Sequence, residues 1–145
     1  MIEIVPSLIW LADGLEVRDL ELISKMQIDA VVDLAYEETP ITLGKSKLAI
    51  RVPLIDGEGN NQQHIRLAIT YTAELIRSKT PFVIACSAGI SRSPTILAAA
   101  LSTVENISIE EELAFILTKK RIGSSTVFLA DVQDAMRSMD DDDRA

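Results

Sequence analysis

The chain has 145 residues, of which 48% are apolar, and carries a net charge of −8; this is enough sequence for one domain with a real core, and it excludes a disordered chain. The negative charge and the 4% aromatic share exclude a nucleic-acid backbone or an anionic membrane as the main partner. A single cysteine excludes an internal disulfide and points to a reducing compartment, the cytoplasm, while no apolar run approaches the roughly 18 residues of a bilayer span.

Met1-Ile2-Glu3-Ile4 lacks the basic start and long apolar stretch of a signal peptide. Glu3 to Trp10 reads as an opening strand, with a turn near Asp13-Gly14. Asp19 to Met26 places Leu22, Ile23 and Met26 at helical spacing. Ala30 to Leu34 and Lys47 to Pro53 read as short strands, the first of them mostly buried. From Gln62 to Ser78, the residues Ile65, Ile69, Thr72 and Ile76 share one face of a predicted amphipathic helix. Phe82 to Ala85 is a compact apolar run, read as a central strand. Ser93-Pro94 reads as a helix start, with Ser93 as cap and Pro94 in the first position, and the helix is expected to reach about Val104. A capping box at Ser108-Ile109-Glu110-Glu111 opens a helix predicted to bury Ile109, Leu113, Ile116 and Leu117, and a last helix is expected over Val127 to Met136. Alternating strands and helices without repeats or linkers predict one α/β domain over residues 1–139, a mostly parallel sheet flanked by helices. Residues 140–145, with Asp140-Asp141-Asp142-Asp143, read as a solvated, frayed acidic tail without fixed geometry for a cation.

The segment richest in chemistry is Cys86-Ser87-Ala88-Gly89-Ile90-Ser91-Arg92, lying between the buried strand and the helix start. A helix N-terminus attracts an anion, and a tight loop there turns successive N–H groups inward as a nest. Ala88, Gly89 and Ser91 are small enough for close backbone approach, and Gly89 also tolerates a positive φ. Arg92 offers a planar fork for two phosphate oxygens. Cys86, at the base of the loop, would feel the helix dipole and the guanidinium, both of which favour a thiolate. A lone cysteine on a strand is more often a small core residue; the strand, nest, arginine and helix together argue against that here.

The segment resembles the Cys-x5-Arg signature of cysteine-dependent protein tyrosine phosphatases, and is most similar to the compact dual-specificity phosphatases. Ile4 to Trp10, Ile28 to Leu34, and Ser108 to Arg121 with Phe128-Leu129 resemble other elements of that family, so nearly the whole chain is covered. The resemblance implies a protein tyrosine phosphatase-like fold and hydrolysis of phosphate monoesters through a phosphocysteine on Cys86. It implies that Arg92 and the amides of Ser87, Ala88, Gly89, Ile90 and Ser91 bind phosphate, and that the Ser93 hydroxyl eases the departure of the sulfur. Asp56, in the turn-rich Asp56-Gly57-Glu58-Gly59 segment after a strand, matches the general acid, with Glu58 as the second candidate. No cofactor or metal is implied, and a phosphorylated protein or small phosphomonoester is the expected partner of a monomer.

The family loop carries His before the nucleophile; here the position is Ala85, which implies slower turnover or an optimum at higher pH. The lone histidine, His64, reads as a helix-surface residue, and Asn60-Asn61-Gln62-Gln63 as a polar helix entry. No lysine occupies the loop, which disfavours an inositide; phosphotyrosine, with phosphoserine or phosphothreonine, in a shallow cleft is the expectation. A non-catalytic phosphate reader, to which Ala85 is the pointer, stands as the alternative, followed by a rhodanese-type sulfurtransferase, whose Cys-to-Arg gap is shorter. Low-molecular-weight tyrosine phosphatases and arsenate reductases share the loop but carry it near the N-terminus. With one thiol, reversible oxidation of Cys86 would have to end in a sulfenamide with a backbone nitrogen.

Overall fold

The opening segment departs from the single strand expected over Glu3 to Trp10. Two strands, β1 (Ile2–Val5) and β2 (Ile9–Ala12), form an antiparallel hairpin. Pro6 cannot donate to a ladder. Ser7 adopts φ 60° and the Leu8 N–H closes onto the Val5 carbonyl at 3.0 Å, so the chain reverses there. The computed structural model describes residues 1–123 and 125–144.

The remaining strands are β3 (Ala30–Ala35), β4 (Leu48–Leu54) and β5 (Phe82–Ala85), and the sheet order is β1-β2-β5-β3-β4. Every pairing except β1–β2 is parallel, so β2, β5, β3 and β4 all end on one edge. The central strands β3 and β5 are buried at every position, which is why β5 reads as an unbroken apolar run and β3 as one interrupted only by Asp33.

A 3₁₀ turn (Glu16–Arg18) and α1 (Leu20–Lys25, capped by the Asp19 carboxylate) cover one face, burying Val17, Ile23 and Ile28 against Val31, Val83 and Ala85. The other face carries α2 (Gln62–Arg77), α3 (Arg92–Glu105), α4 (Ile109–Leu117) and α5 (Thr126–Arg144). Its core joins Ile69, Ile84, Ile96, Leu97 and Phe128, each contributing about 1.5–3 kcal/mol by leaving water. The amphipathic face of α2 is as expected: Ile65, Ile69 and Thr72 are buried, and the Asn61 side chain caps the helix by accepting from Gln63 and His64. This is the single α/β unit with a mostly parallel sheet that the sequence predicted.

Three helix details differ from expectation. α3 starts at Arg92, so Ser93 and Pro94 lie inside its first turn and Ser93 does not cap it. On α4, Ile109 and Ile116 are buried, but Leu117 is exposed and Glu112 points inward in the place expected of an apolar residue. α5 runs on to Arg144, so Asp140 to Asp143 are solvated but helical, and Asp142 pairs with Arg66. Ala145, the end of the expected tail, lies outside the described residues. Among the described residues no helix is long and apolar enough to cross a membrane.

Candidate active site

Because β5 is the middle strand and ends on the shared edge, the segment that follows it emerges at the centre of that edge, where α/β sheets bind ligands. Residues 86–91 form a loop from β5 into the N-terminus of α3. Gly89 takes φ +73°, and a Cβ there would stand 2.9 Å from the Ala12 carbonyl oxygen, so the loop closes this tightly only with glycine. Among the described residues, the N–H groups of Ser87, Ala88, Gly89, Ile90 and Ser91 have no protein acceptor. Those free donors, together with the positive end of α3, make an anion nest.

Cys86 is buried, and its Sγ lies 3.3 Å from Ser93 Oγ. Ser93 therefore serves the sulfur instead of the helix end. Arg92, buried as well, is held by three hydrogen bonds: Nη1 donates to Glu37 Oε1 (2.7 Å) and to the Leu54 carbonyl (2.7 Å), and Nη2 donates to Glu37 Oε2 (2.9 Å). Its Nε–H is buried with no partner among the described residues. A guanidinium fixed on its far side, with its Nε–H and the second Nη2–H unspent, suits a tetrahedral anion in the nest. Burial disfavours the charged guanidinium, but the Glu37 carboxylate and the neighbouring Cys86 and Asp56 outweigh it and hold Arg92 charged above its usual range. In return, the hydrogen bonds from Arg92 hold the Glu37 carboxyl below the usual carboxylate range.

Asp56 follows β4 on the same edge, and its Oδ1 accepts from Ser91 Oγ at 2.9 Å, so the carboxylate lies at the rim of the loop. Its segment is stapled by Asn60, whose Oδ1 accepts from the Ile55 N–H (2.7 Å) and whose Nδ2 donates to the Ile55 carbonyl (2.7 Å). Asn60 and the cap Asn61 thus have local structural partners, Gln62 reaches the Asp131 carbonyl, and His64 is exposed on α2. Glu58 is exposed with no polar contact to the loop among the described residues. The structure therefore brings Cys86, Arg92, Ser93, Asp56 and the loop residues together, and leaves Glu58 and His64 apart from them.

Sequence reasoning missed the residues around the loop. Glu37 clasps Arg92, Glu38 Oε1 accepts from Ser87 Oγ at 2.8 Å, and the Gly14 N–H donates to the Ser87 carbonyl at 2.9 Å. Lys120 places its Nζ 3.0 Å from where a Gly89 Cβ would stand, a cation beside the nest. The one signal in the sequence was position: Glu37-Glu38 lie just past Tyr36 at the end of a parallel strand, where site residues gather. Among the described residues, no group of three or more His, Cys, Asp or Glu is arranged to hold a metal ion.

The family description that matches residues 9–137 is "Dual specificity phosphatase, catalytic domain". No curated protein sequence matches the chain. Among solved structures, human DUSP28 aligns with a TM-score of 0.80 at 14% identity, covering 98% of this chain and 99% of that one. Human tyrosine phosphatase-like serine/threonine/tyrosine-interacting protein aligns with 0.77 at 16% identity, covering 96% and 97%. The structure of DUSP15 aligns with 0.74 at 20% identity, covering 97% and 95%. At these identities the solved structures speak for the fold; the match over residues 9–137, together with the loop geometry, establishes that the chain belongs to the dual-specificity phosphatase family.

Proposed function

We propose that this chain is an active cysteine-dependent phosphatase that hydrolyses phosphate monoesters, phosphotyrosine and also phosphoserine or phosphothreonine, on proteins. The observation that carries the reading is that one amide-lined loop holds both Cys86 and Arg92, whose buried Nε–H has no partner among the described residues.

In the proposed first step the Cys86 thiolate attacks phosphorus, the bond to the ester oxygen breaks, and Asp56 as the acid delivers a proton to the leaving oxygen. Arg92 and the loop amides take up the charge on the equatorial oxygens. In the second step water attacks the phosphocysteine, Asp56 accepts the water proton, and the P–S bond breaks with the electron pair returning to sulfur. Ser93 Oγ, in hydrogen-bond contact with Sγ, stabilises the departing thiolate. The same reading includes a monomer without cofactor or metal in a reducing, cytoplasmic setting, acting on neither nucleic acid nor membrane.

Turnover of an aryl phosphate tests the reading. Wild type is expected to be active, Cys86→Ser inactive, and Asp56→Asn slowed by about 10²–10⁴-fold with loss of one limb of the pH profile. A second reading, a phosphoprotein-binding domain without turnover, draws on Ala85 and on the two carboxylates, Glu37 and Glu38, beside the loop. It gains if wild type binds tungstate or a phosphopeptide but releases no phosphate.

A further inference from the structure

On the face of the sheet covered by α1, the strand ends carry a charged cluster that the chemistry above does not use. Asp33 of β3 is buried, with 3% of its side chain exposed. Its Oδ1 accepts from the Ala35 N–H (3.2 Å), and its Oδ2 accepts from both Arg18 Nη2 (2.9 Å) and Arg51 Nη1 (2.7 Å). Burying such charges is costly unless their geometry does something a nonpolar cluster could not.

The other ends of the two arginines show what that is. Arg51 Nη2 donates to the Tyr36 and Glu38 carbonyls (3.4 and 3.0 Å), so the backbone is pinned on both sides of Glu37, the residue that clasps Arg92. Arg18 donates through Nε and Nη2 to the Thr39 carbonyl (2.9 and 2.7 Å) and through Nη1 to the Gly14 carbonyl (2.9 Å). Gly14 in turn donates to the Ser87 carbonyl, and Glu38 accepts from the Ser87 hydroxyl. One carboxylate thus tethers both ends of the anion loop, Ser87 on one side and Arg92 on the other.

Asp33 is the register partner of Ala85 in the parallel β3–β5 ladder, so the two side chains share a face. Ala85 is fully buried and offers no polar group there. We propose that Asp33, Arg18 and Arg51 form a positioning clamp that orients Arg92 through Glu37 and Ser87 through Gly14 and Glu38, ordering the loop from the side where the preceding residue carries no imidazole. They are positioning residues, since none touches the reacting atoms.

The activity arm of the test rests on the phosphatase reading; a spectroscopic arm does not. The variants Arg51→Lys, Arg51→Gln and Asp33→Asn separate positioning from charge. A clamp needs the fork and the carboxylate, so all three are expected to lower kcat on aryl phosphate by about 10–100-fold and to weaken tungstate binding, well below their melting temperatures. They are also expected to broaden or shift the Arg92 Nε–H resonance, assigned with Arg92→Lys. If the cluster acted only through its net charge, Arg51→Lys would match wild type and Asp33→Asn would bind tungstate more tightly; either result overturns the proposal. An Arg92 resonance unchanged in every variant overturns it as well. Should wild type neither turn over aryl phosphate nor bind tungstate, the phosphatase reading fails, and the resonance still decides the clamp. Should Asp33→Asn fail to fold, the Arg51 variants, whose side chain is 25% exposed, carry the same comparison.

Discussion

Each residue of the loop answers to a separate constraint. Gly89 answers to space: with φ at +73° and a backbone oxygen 2.9 Å from the place of a Cβ, alanine must move either the loop or the end of β2. Left-handed strain and the clash together are expected to cost Gly89→Ala about 1–3 kcal/mol. The larger effect should fall on tungstate affinity, because the amides point inward only while the loop stays closed. A Gly89→Ala protein that melts and binds tungstate as wild type does would show that the nest is not needed. Ala85 answers to volume: it is fully buried beside Ala12 and Asp33. Ala85→His is therefore expected to overpack this site, lowering stability by about 1–3 kcal/mol, and to give no gain in kcat. A faster, equally stable Ala85→His protein would mean that the missing imidazole is a plain deficit and that Asp33 and its arginines do not stand in for it.

At the scale of elements, the segment between β4 and α2 is organised by one side chain. Asn60 returns to both backbone groups of Ile55 and so fixes the turn that carries Asp56 to Ser91. Asn60→Ala is expected to leave the core intact, with a melting temperature within a few degrees of wild type, while kcat falls and KM changes little, because the misplaced group is Asp56. Equal loss on Asp56→Asn and on the double variant would confirm that the two act together.

The sequence carried the interior of this fold well and its edges poorly. Phe82–Ala85, Ala30–Ala35 and the buried face of α2 were legible because periodicity and mostly apolar runs report burial directly. The hairpin at Pro6-Ser7 was hidden because its strands are four residues each and share one apolar composition. In the site, Cys86 to Ser93 were legible because one continuous segment builds the nest. Glu37, Glu38, Gly14, Arg18 and Arg51 were not, because they come from three separate parts of the chain, after β3, after β2 and within β4, and only the sheet order makes them neighbours. Ser93 was misread as a cap because a serine before a proline satisfies the capping pattern, whereas the helix starts two residues earlier, at Arg92, and frees the Ser93 hydroxyl for sulfur.

Across the whole molecule, the anion loop and the buried carboxyl of Glu112 lie toward opposite ends of α3. α3 begins at Arg92 in the loop and, at about 1.5 Å per residue, carries the chain to Glu105 on the far side. There Glu112 is buried in α4, and burial first, then the Glu105 and Glu111 carboxylates, pushes its carboxyl up to about 7. In the unfolded chain the same group titrates near 4.5, so between these values the folded state binds the extra proton. The stabilising contribution of protonated Glu112 is therefore complete below about 4.5 and is lost as pH rises through about 7. A tenfold change in proton affinity is worth about 1.4 kcal/mol, so about 1–3 kcal/mol is at stake. Glu112→Gln keeps the shape and cannot ionise. It is expected to raise the melting temperature by about 3–8 °C at pH 8, to give little change at pH 5, and to leave kcat on aryl phosphate unaltered at both. The difference between variant and wild type isolates this carboxyl from all others that titrate. If that difference is the same at pH 5 and pH 8, Glu112 is ionised in the folded protein, and the acidic end of α4 stays solvated instead of storing a proton.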